Sequence, residues 1–373
     1  MKVLQIIAQP KINTGGAMQM CLLANYLYDN NVDVIVVFHK NINYSLDYYY
    51  NFLNKNIKIR FFDLPKFSLS KRSINSILDL RNFIKKENFD IIHIHKSRAF
   101  TLTYIATLGV DIPLVVNRGV IIPLDFFNSL KYKSRKVKKI IAVSEAVKKS
   151  IVESANVNPE KIEVVYGSID LKRFDFSIES NFKKEFGISD DEFIFGYVGN
   201  DLKRKGLEYL LSAFNILENK YNNITLVLVG VSENSKVVLE YEELLKNRKV
   251  ICTGYRIDIP RIMKSFDAFV FAGISDEGLT GVIREAAAMK IPVITTDVAG
   301  NEEFIQNEKN GIVVPKKDVK SLVAAMEKIY LNYDYYKNLA ENAYKFVMEN
   351  MNNDVRGEKI LKIYYDVISS KGV

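Results

Sequence analysis

The stretch "SDEGLTGVIREAAAMKIPVITT", residues 275–296, places two carboxylates, Glu277 and Glu285, on either side of seven residues that include Gly278 and Gly281. The apolar run "DAFVFAG" precedes it, so the first acid falls in the turn after a strand and the second inside the helix that follows. With a helix beginning near Thr280, eight residues at 1.5 Å rise separate the two acids by at most roughly 12 Å. That reach matches the distance from a sugar ring to a ribose across a diphosphate. One acid can hold sugar hydroxyls and the other ribose hydroxyls, with the diphosphate facing the helix N-terminus. Either glutamate alone also suits an ordinary first helical turn, and it is the pair with its glycines that points to chemistry.

Three other stretches carry candidate groups. "NTGGAMQM", residues 13–20, follows the first apolar run and opens a helix; Gly15 and Gly16 permit close backbone approach to an anion at the helix N-terminus. It lacks the GxGxxG spacing of a dinucleotide site, and a Gly-Gly turn can be only a turn. In "GYVGNDLKRKGLEYLLSAF", residues 196–214, Lys203, Arg204 and Lys205 stand before an amphipathic helix starting near Gly206. Cations there oppose the helix dipole, so an ordered loop needs a compensating anion and a mobile basic loop does not. At the end of "DIIHIH", His93 and His95 share one face; we expect a buried His93 and a cleft-lining His95. A metal site is not expected, because the third histidine, His39, is far off in sequence. The aromatic stretch 43–53, "NYSLDYYYNFL", is expected to pack beneath a loop ahead of touching lipid or sugar.

Short apolar, β-branched runs separated by amphipathic stretches must position these groups: "KVLQII", "DVIVVF", "IKIRFF", "FDIIHIH", "PLVV", "KKIIAVS" and "IEVVY", then "FIFGYVG", "NITLVLVG", "KVICTG", "DAFVFAG", "IPVITT" and "GIVVP". That alternation describes βαβ units and an α/β chain of two Rossmann-like, doubly wound domains facing across a cleft, with chemistry in the loops after strands. A length of 373 residues agrees with two domains. We place them at 1–170 and 171–351, with the change inside the irregular, charged stretch 167–192, and a terminal helix, 352–373, crossing back to the first domain.

The net charge of +8 is unevenly spread. Residues 1–170 hold 24 Lys and Arg against 14 Asp and Glu, and the remainder 28 against 30. The densest patch, "KYKSRKVKK" at 131–139, suits an anionic membrane surface, a nucleic acid or a phosphorylated substrate. Without an RNA motif or recognition helix, no nucleic-acid partner is expected. No apolar run reaches the ~20 residues of a membrane span, and the N-terminus lacks a small-residue cleavage site. A cytoplasmic protein is expected, peripheral on the inner face of the membrane. Cys21 and Cys252 have no redox or metal spacing and read as core residues.

"EGLTGVIREAAAMKIPVITTDVAGNEE" resembles the Glu, seven residues, Glu motif of the family 4 glycosyltransferases of the GT-B fold. "NTGGAMQMCLLANYL", "FDIIHIHKSRA", "KKIIAVSEAVKKSIVE", "VNPEKIEVVYGSIDLKRF", "VGNDLKRKGLEYLLSAF" and "NGIVVPKKD" extend the resemblance over nearly the whole chain. It implies retaining, metal-independent transfer of a sugar from a nucleotide donor, with a UDP-sugar ahead of a GDP-sugar. The acceptor implied is a cell-envelope glycan or lipid-linked group, with "GNDLKRKG" most like a branch that builds lipopolysaccharide cores. Carried over, Lys205 holds the donor diphosphate, Glu277 the sugar hydroxyls and Glu285 the ribose. Gly278 and the backbone of Leu279 and Thr280 border the phosphates, and Gly15 and Gly16 form the loop near phosphates and acceptor. Two positions depart from the pattern. Gly199-Asn200 replaces Gly-Arg and removes a cation, for which Lys203 or Arg204 can substitute. "NRGV", with Asn117 and Arg118, replaces a loop histidine, and Arg118 can hold a phosphate or acidic acceptor group. Alternatives at this stage are a GT-B sugar-nucleotide epimerase, a phosphorylase, or a non-catalytic nucleotide-sugar or glycan-binding protein.

Overall fold

The computed structural model describes residues 1–12, 15–41, 43–275, 278–298 and 300–370. It divides into two compact units, Met1–Ser168 with Asn353–Val373, and Ile169–Asn352.

In the first unit all seven apolar runs form strands: β1 Lys2–Ile7, β2 Asp33–His39, β3 Lys58–Phe62, β4 Ile91–His95, β5 Leu114–Arg118, β6 Val137–Ala142 and β7 Ile162–Val164. They pair in parallel in the order β3-β2-β1-β4-β5-β6-β7. Parallel sheets bury both faces beneath helices, and for this reason the runs are continuous rather than alternating. One face packs on a core of Leu4, Ile6, Phe100 and Tyr132, the other on Val3, Ile7, Met20 and Leu23.

The terminal helix Asn353–Ser369 belongs to this second face. A Cβ on Gly357 would stand 2.3 Å from the Tyr26 ring, so glycine lets the helix lie directly against Gly15–Asp29. Arg356 donates to the Gln19 carbonyl at 2.9 Å and Asn353 to the Leu22 carbonyl at 3.0 Å. The aromatic stretch 43–53 packs inward. Tyr49 is fully buried and donates to Pro10 O, and the Tyr48 hydroxyl accepts from Ile12 N–H, so the stretch supports the backbone at Pro10 and Ile12. Cys21 is buried and unpaired, as is Cys252 in the second unit.

The second unit contains β8 Phe193–Val198, β9 Ile224–Val229, β10 Val250–Gly254, β11 Ala268–Phe271, β12 Val293–Thr296 and β13 Ile312–Val314. Their order is β10-β9-β8-β11-β12-β13, again all parallel. The chain reverses direction across the sheet between β8 and β11, and ligands of open α/β sheets bind at the carboxyl ends of strands at such a switch point. Among the described residues, no helix is long and apolar enough to cross a membrane.

Candidate functional site

The three cations lie after β8. Lys203–Lys205 form one 3-10 turn that ends on Gly206, and the helix Leu207–Glu218 begins immediately after it. Gly206 has φ +68°, and a Cβ there would stand 1.7 Å from Ala272 O, so only glycine lets the turn press against the end of β11. The backbone confirms the contact: Ile274 N–H donates to Arg204 O at 2.9 Å. Lys205 is half-buried with its ammonium 5.2 Å from the centre of the Phe271 ring, and Lys203 is exposed. The loop is therefore an ordered anchor for Lys205. Gly199 ends β8 with its N–H on Val229 O, and exposed Asn200 accepts from the Tyr197 hydroxyl through its carbonyl at 2.7 Å.

After β11, the helix Gly281–Ala288 begins one residue beyond Thr280, which is its N-cap. Gly278, Leu279 and Thr280 are buried, and Glu277 lies outside the described residues. Two distant residues hold the helix entry. A Cβ on Gly300 would stand 1.5 Å from Gly278 O, and fully buried Asn301 accepts the Thr280 N–H at 3.1 Å while donating to Thr295 Oγ1 at 3.2 Å. Asn301 is a positioning residue that the sequence reading did not single out; its signal is a polar side chain following Gly300 in the turn after "IPVITT".

Glu285 is the fifth residue of the helix and half-buried. Burial raises its pKa above the ordinary carboxylate value, against the opposing attraction of Arg284 and Arg173. Arg284 is buried as well, and loss of water lowers its pKa to about 10. The sequence reading missed Arg284. A cation in the "GVIREAAA" run, otherwise apolar up to Glu285, was the signal for it.

In the first unit, the N-terminal glycines open their helix as expected, with Gly15 exposed. A Cβ on Gly16 would stand 2.7 Å from Lys96 Cε, so glycine gives the Lys96 stem its path across the helix start. Lys96 follows His95 directly and has φ +69°, a backbone region that favours glycine.

His95 does not line an open surface: it is 2% exposed, and both ring nitrogens are engaged. The side chains form a directed chain from the terminal helix across three strands. The Tyr364 hydroxyl donates to His93 Nδ1, His93 Nε2–H to Asn117 Oδ1 at 3.0 Å, Asn117 Nδ2–H to His95 Nδ1 at 3.2 Å, and His95 Nε2–H to Gln5 Oε1 at 3.1 Å. Each imidazole thus uses one nitrogen as donor and one as acceptor and is neutral, and burial lowers both pKa values well below the usual range. Arg118 is likewise turned inward. It is buried, donates to Ile122 O and lies over the Tyr132 ring, so it secures the loop after β5 and does not present a guanidinium to an acceptor. Among the described residues, no group of three His, Cys, Asp or Glu side chains is arranged to hold a metal ion.

Comparison with known proteins bears on the same elements. The model of Glycosyltransferase Family 4 matches residues 14–173, and that of glycosyl transferases group 1 matches residues 178–346. The chain is 27% identical over 321 residues to an Escherichia coli UDP-Gal:alpha-D-GlcNAc-diphosphoundecaprenol alpha-1,3-galactosyltransferase, covering 80% of this chain and 81% of that one. It is 30% identical over 231 residues to the Staphylococcus aureus capsular polysaccharide biosynthesis glycosyltransferase CapM, covering 60% of each. Among solved structures, a glycosyltransferase from Rickettsia africae superposes with a TM-score of 0.84 at 22% identity over 98% of both chains. Anabaena HepE, in complex with UDP and glucose, gives 0.81 at 18% identity over 97% of this chain and 99% of that one. At these identities the superpositions establish the fold, and the two family models, end to end over both parallel-sheet units, establish the rest: the chain is a glycosyltransferase of family 4 with the GT-B fold.

Proposed function

We propose that this enzyme transfers a sugar from a UDP-sugar to a lipid-linked or other cell-envelope glycan acceptor, with retention of anomeric configuration and without a metal, in the synthesis of lipopolysaccharide or another surface polysaccharide. One observation carries the reading: adjacent strands β8 and β11 deliver, at their carboxyl ends, an ordered lysine and an uncapped helix start followed by a desolvated acid. Lys205 and the first N–H groups of the helix meet the diphosphate, Glu285 holds the ribose, and Glu277 holds the sugar hydroxyls. The chemical need is to stabilise charge on the departing diphosphate, which takes the proton of the incoming acceptor hydroxyl on the same face of the sugar. The E. coli relative, whose name specifies a UDP-sugar donor and a diphosphoundecaprenol acceptor, and HepE with bound UDP support this choice of donor and acceptor class.

Thermal unfolding with UDP, GDP, ADP and their sugar conjugates tests the donor half. A selective nucleotide at 100 times its Kd should stabilise the protein by ~2.7 kcal/mol. Stabilisation by UDP compounds alone is expected, and a folded protein that responds to none of them lacks the proposed site. Retention is read from the anomeric configuration of the glycan product.

The membrane half rests on the segment after β5. Phe126 and Phe127 are 71% and 78% exposed at the start of the helix Phe126–Lys133, and Val120, Ile122 and Leu130 are exposed beside them. Exposed Lys133, Arg135 and Lys138 follow in the sequence. Aromatic side chains at the headgroup boundary with cations for anionic lipid make a membrane-surface contact. Because the chain contains no tryptophan, Phe127→Trp installs a single fluorophore there. Its emission is expected to shift to the blue on vesicles containing phosphatidylglycerol at low salt, and to revert at high salt. An unshifted spectrum on such vesicles would remove the membrane contact and leave the transfer reaction intact.

A further inference from the structure

Among the described residues of the second unit, two side-chain polar atoms are buried without a hydrogen-bond partner, and both belong to the start of the Gly281–Ala288 helix: Thr280 Oγ1 and Arg284 Nε. Thr280 is 2% exposed and Arg284 7%. A threonine N-cap ordinarily accepts a hydrogen bond from an N–H of the first turn, and Thr280 makes no such bond. Arg284 folds back along the helix as helical side chains do. Its Nη2 lies 3.5 Å from the place a Cβ on Gly281 would take, an ordinary contact distance, so the guanidinium sits beside the first turn. A cation at this end of a helix opposes the macrodipole, and a buried guanidinium without a hydrogen-bonding anion is unfavourable. Among the described residues, the one acidic group acting on it is the next residue, Glu285, with no salt bridge between the two. Hydroxyl and guanidinium therefore lie at the start of one helix, and no described residue supplies a hydrogen-bonding anion to either.

We propose that Arg284, Thr280 and the first-turn N–H groups of this helix bind a phosphate of the donor's diphosphate. The inference rests on the nucleotide-sugar reading of the same site and adds the Arg284 guanidinium and the Thr280 hydroxyl to the groups that hold the diphosphate. The diphosphate of a nucleotide sugar carries two negative charges. Lys205 offers one balancing charge from the β8 loop, and Arg284 offers the second from the β11 side, with a planar fork suited to two phosphate oxygens.

The test compares uridine, UMP, UDP, UDP-glucose and UDP-glucuronate binding to the wild type, Arg284→Met, Arg284→Lys and Thr280→Val, by calorimetry and thermal unfolding. Methionine fills similar space without charge, so Arg284→Met is expected to fold while binding UDP about tenfold to a hundredfold more weakly and uridine unchanged. Arg284→Lys is expected to recover part of the UDP affinity, and Thr280→Val to lose a smaller part; these two carry the test if the methionine variant does not fold. Wild-type UDP affinity in all the Arg284 and Thr280 variants overturns the proposal. A loss confined to UDP-glucuronate also overturns it, because the anion is then a sugar carboxylate. A wild type indifferent to every uridine compound overturns the nucleotide-sugar reading itself, a result distinct from either.

Discussion

Lys205→Ala is expected to lower kcat by two to three orders of magnitude while changing the donor KM far less. Charge on the departing diphosphate grows as the glycosidic bond breaks, so a fixed cation there stabilises the transition state more than the bound donor. Lys205 is held in place ahead of any ligand. The 3-10 turn that carries it is pressed onto the end of β11 through Gly206, where any Cβ would meet Ala272 O, and its ammonium is set 5.2 Å from the Phe271 ring centre. Little reorganisation is left to the moment of reaction. Lys203, exposed in the same turn, is the matched control, and Lys203→Ala is expected to stay within a few-fold of wild type. Initial rates of UDP release with a saturating acceptor decide the matter. A Lys205→Ala enzyme within tenfold of wild-type kcat would show that this lysine plays no part in leaving-group stabilisation.

Glu285→Gln is expected to separate binding from stability in opposite directions. Burial raises the Glu285 pKa in the folded protein, and Arg284 and Arg173 reduce that rise without abolishing it. A carboxyl with a raised folded pKa favours the native state below its unfolded value of about 4.3, and that contribution is lost as pH rises through the folded value. As pH rises through that folded value, the native state must hold an ionised carboxylate against its preference. Glutamine removes this cost, so the variant is expected to unfold at higher temperature than wild type at pH 7, with the advantage shrinking toward pH 4. Its UDP affinity is expected to fall about tenfold to a hundredfold, because a neutral amide would replace the carboxylate that the proposed reading gives to the ribose hydroxyls. Unfolding scans at both pH values, with and without UDP, contain both results. Unchanged UDP affinity would place the ribose elsewhere.

The strands and the approximate start of the Gly281–Ala288 helix were legible in the sequence because their signals are local. A strand covered on both faces must be a short continuous apolar run, and thirteen such runs became the strands of two parallel sheets. The Glu285 position on its helix follows from spacing alone, as does the placing of Lys205 just before a helix. The neighbours of a side chain are not local. His95 ends a strand in a position where a cleft-lining imidazole was expected, yet Gln5 and Asn117, from two other strands, engage both its nitrogens in a hydrogen-bonded chain that runs on through His93 to Tyr364 of the terminal helix. Arg118 similarly found Ile122 O and the Tyr132 ring before any ligand.

The fold class and the residue types available at the strand ends can be read along the chain, since periodicity and turn chemistry are written over a few neighbouring residues. Which of those residues face outward depends on folding, through contacts between positions distant in the chain. Asn301 holds the Thr280 N–H from 21 residues away, Gly357 lets the final helix close on Tyr26, and Arg284 Nε is left buried near a helix start without a hydrogen-bond partner among the described residues. Such pairings depend on how the sheets order their strands and how closely the helices approach, and no spacing along the chain encodes them.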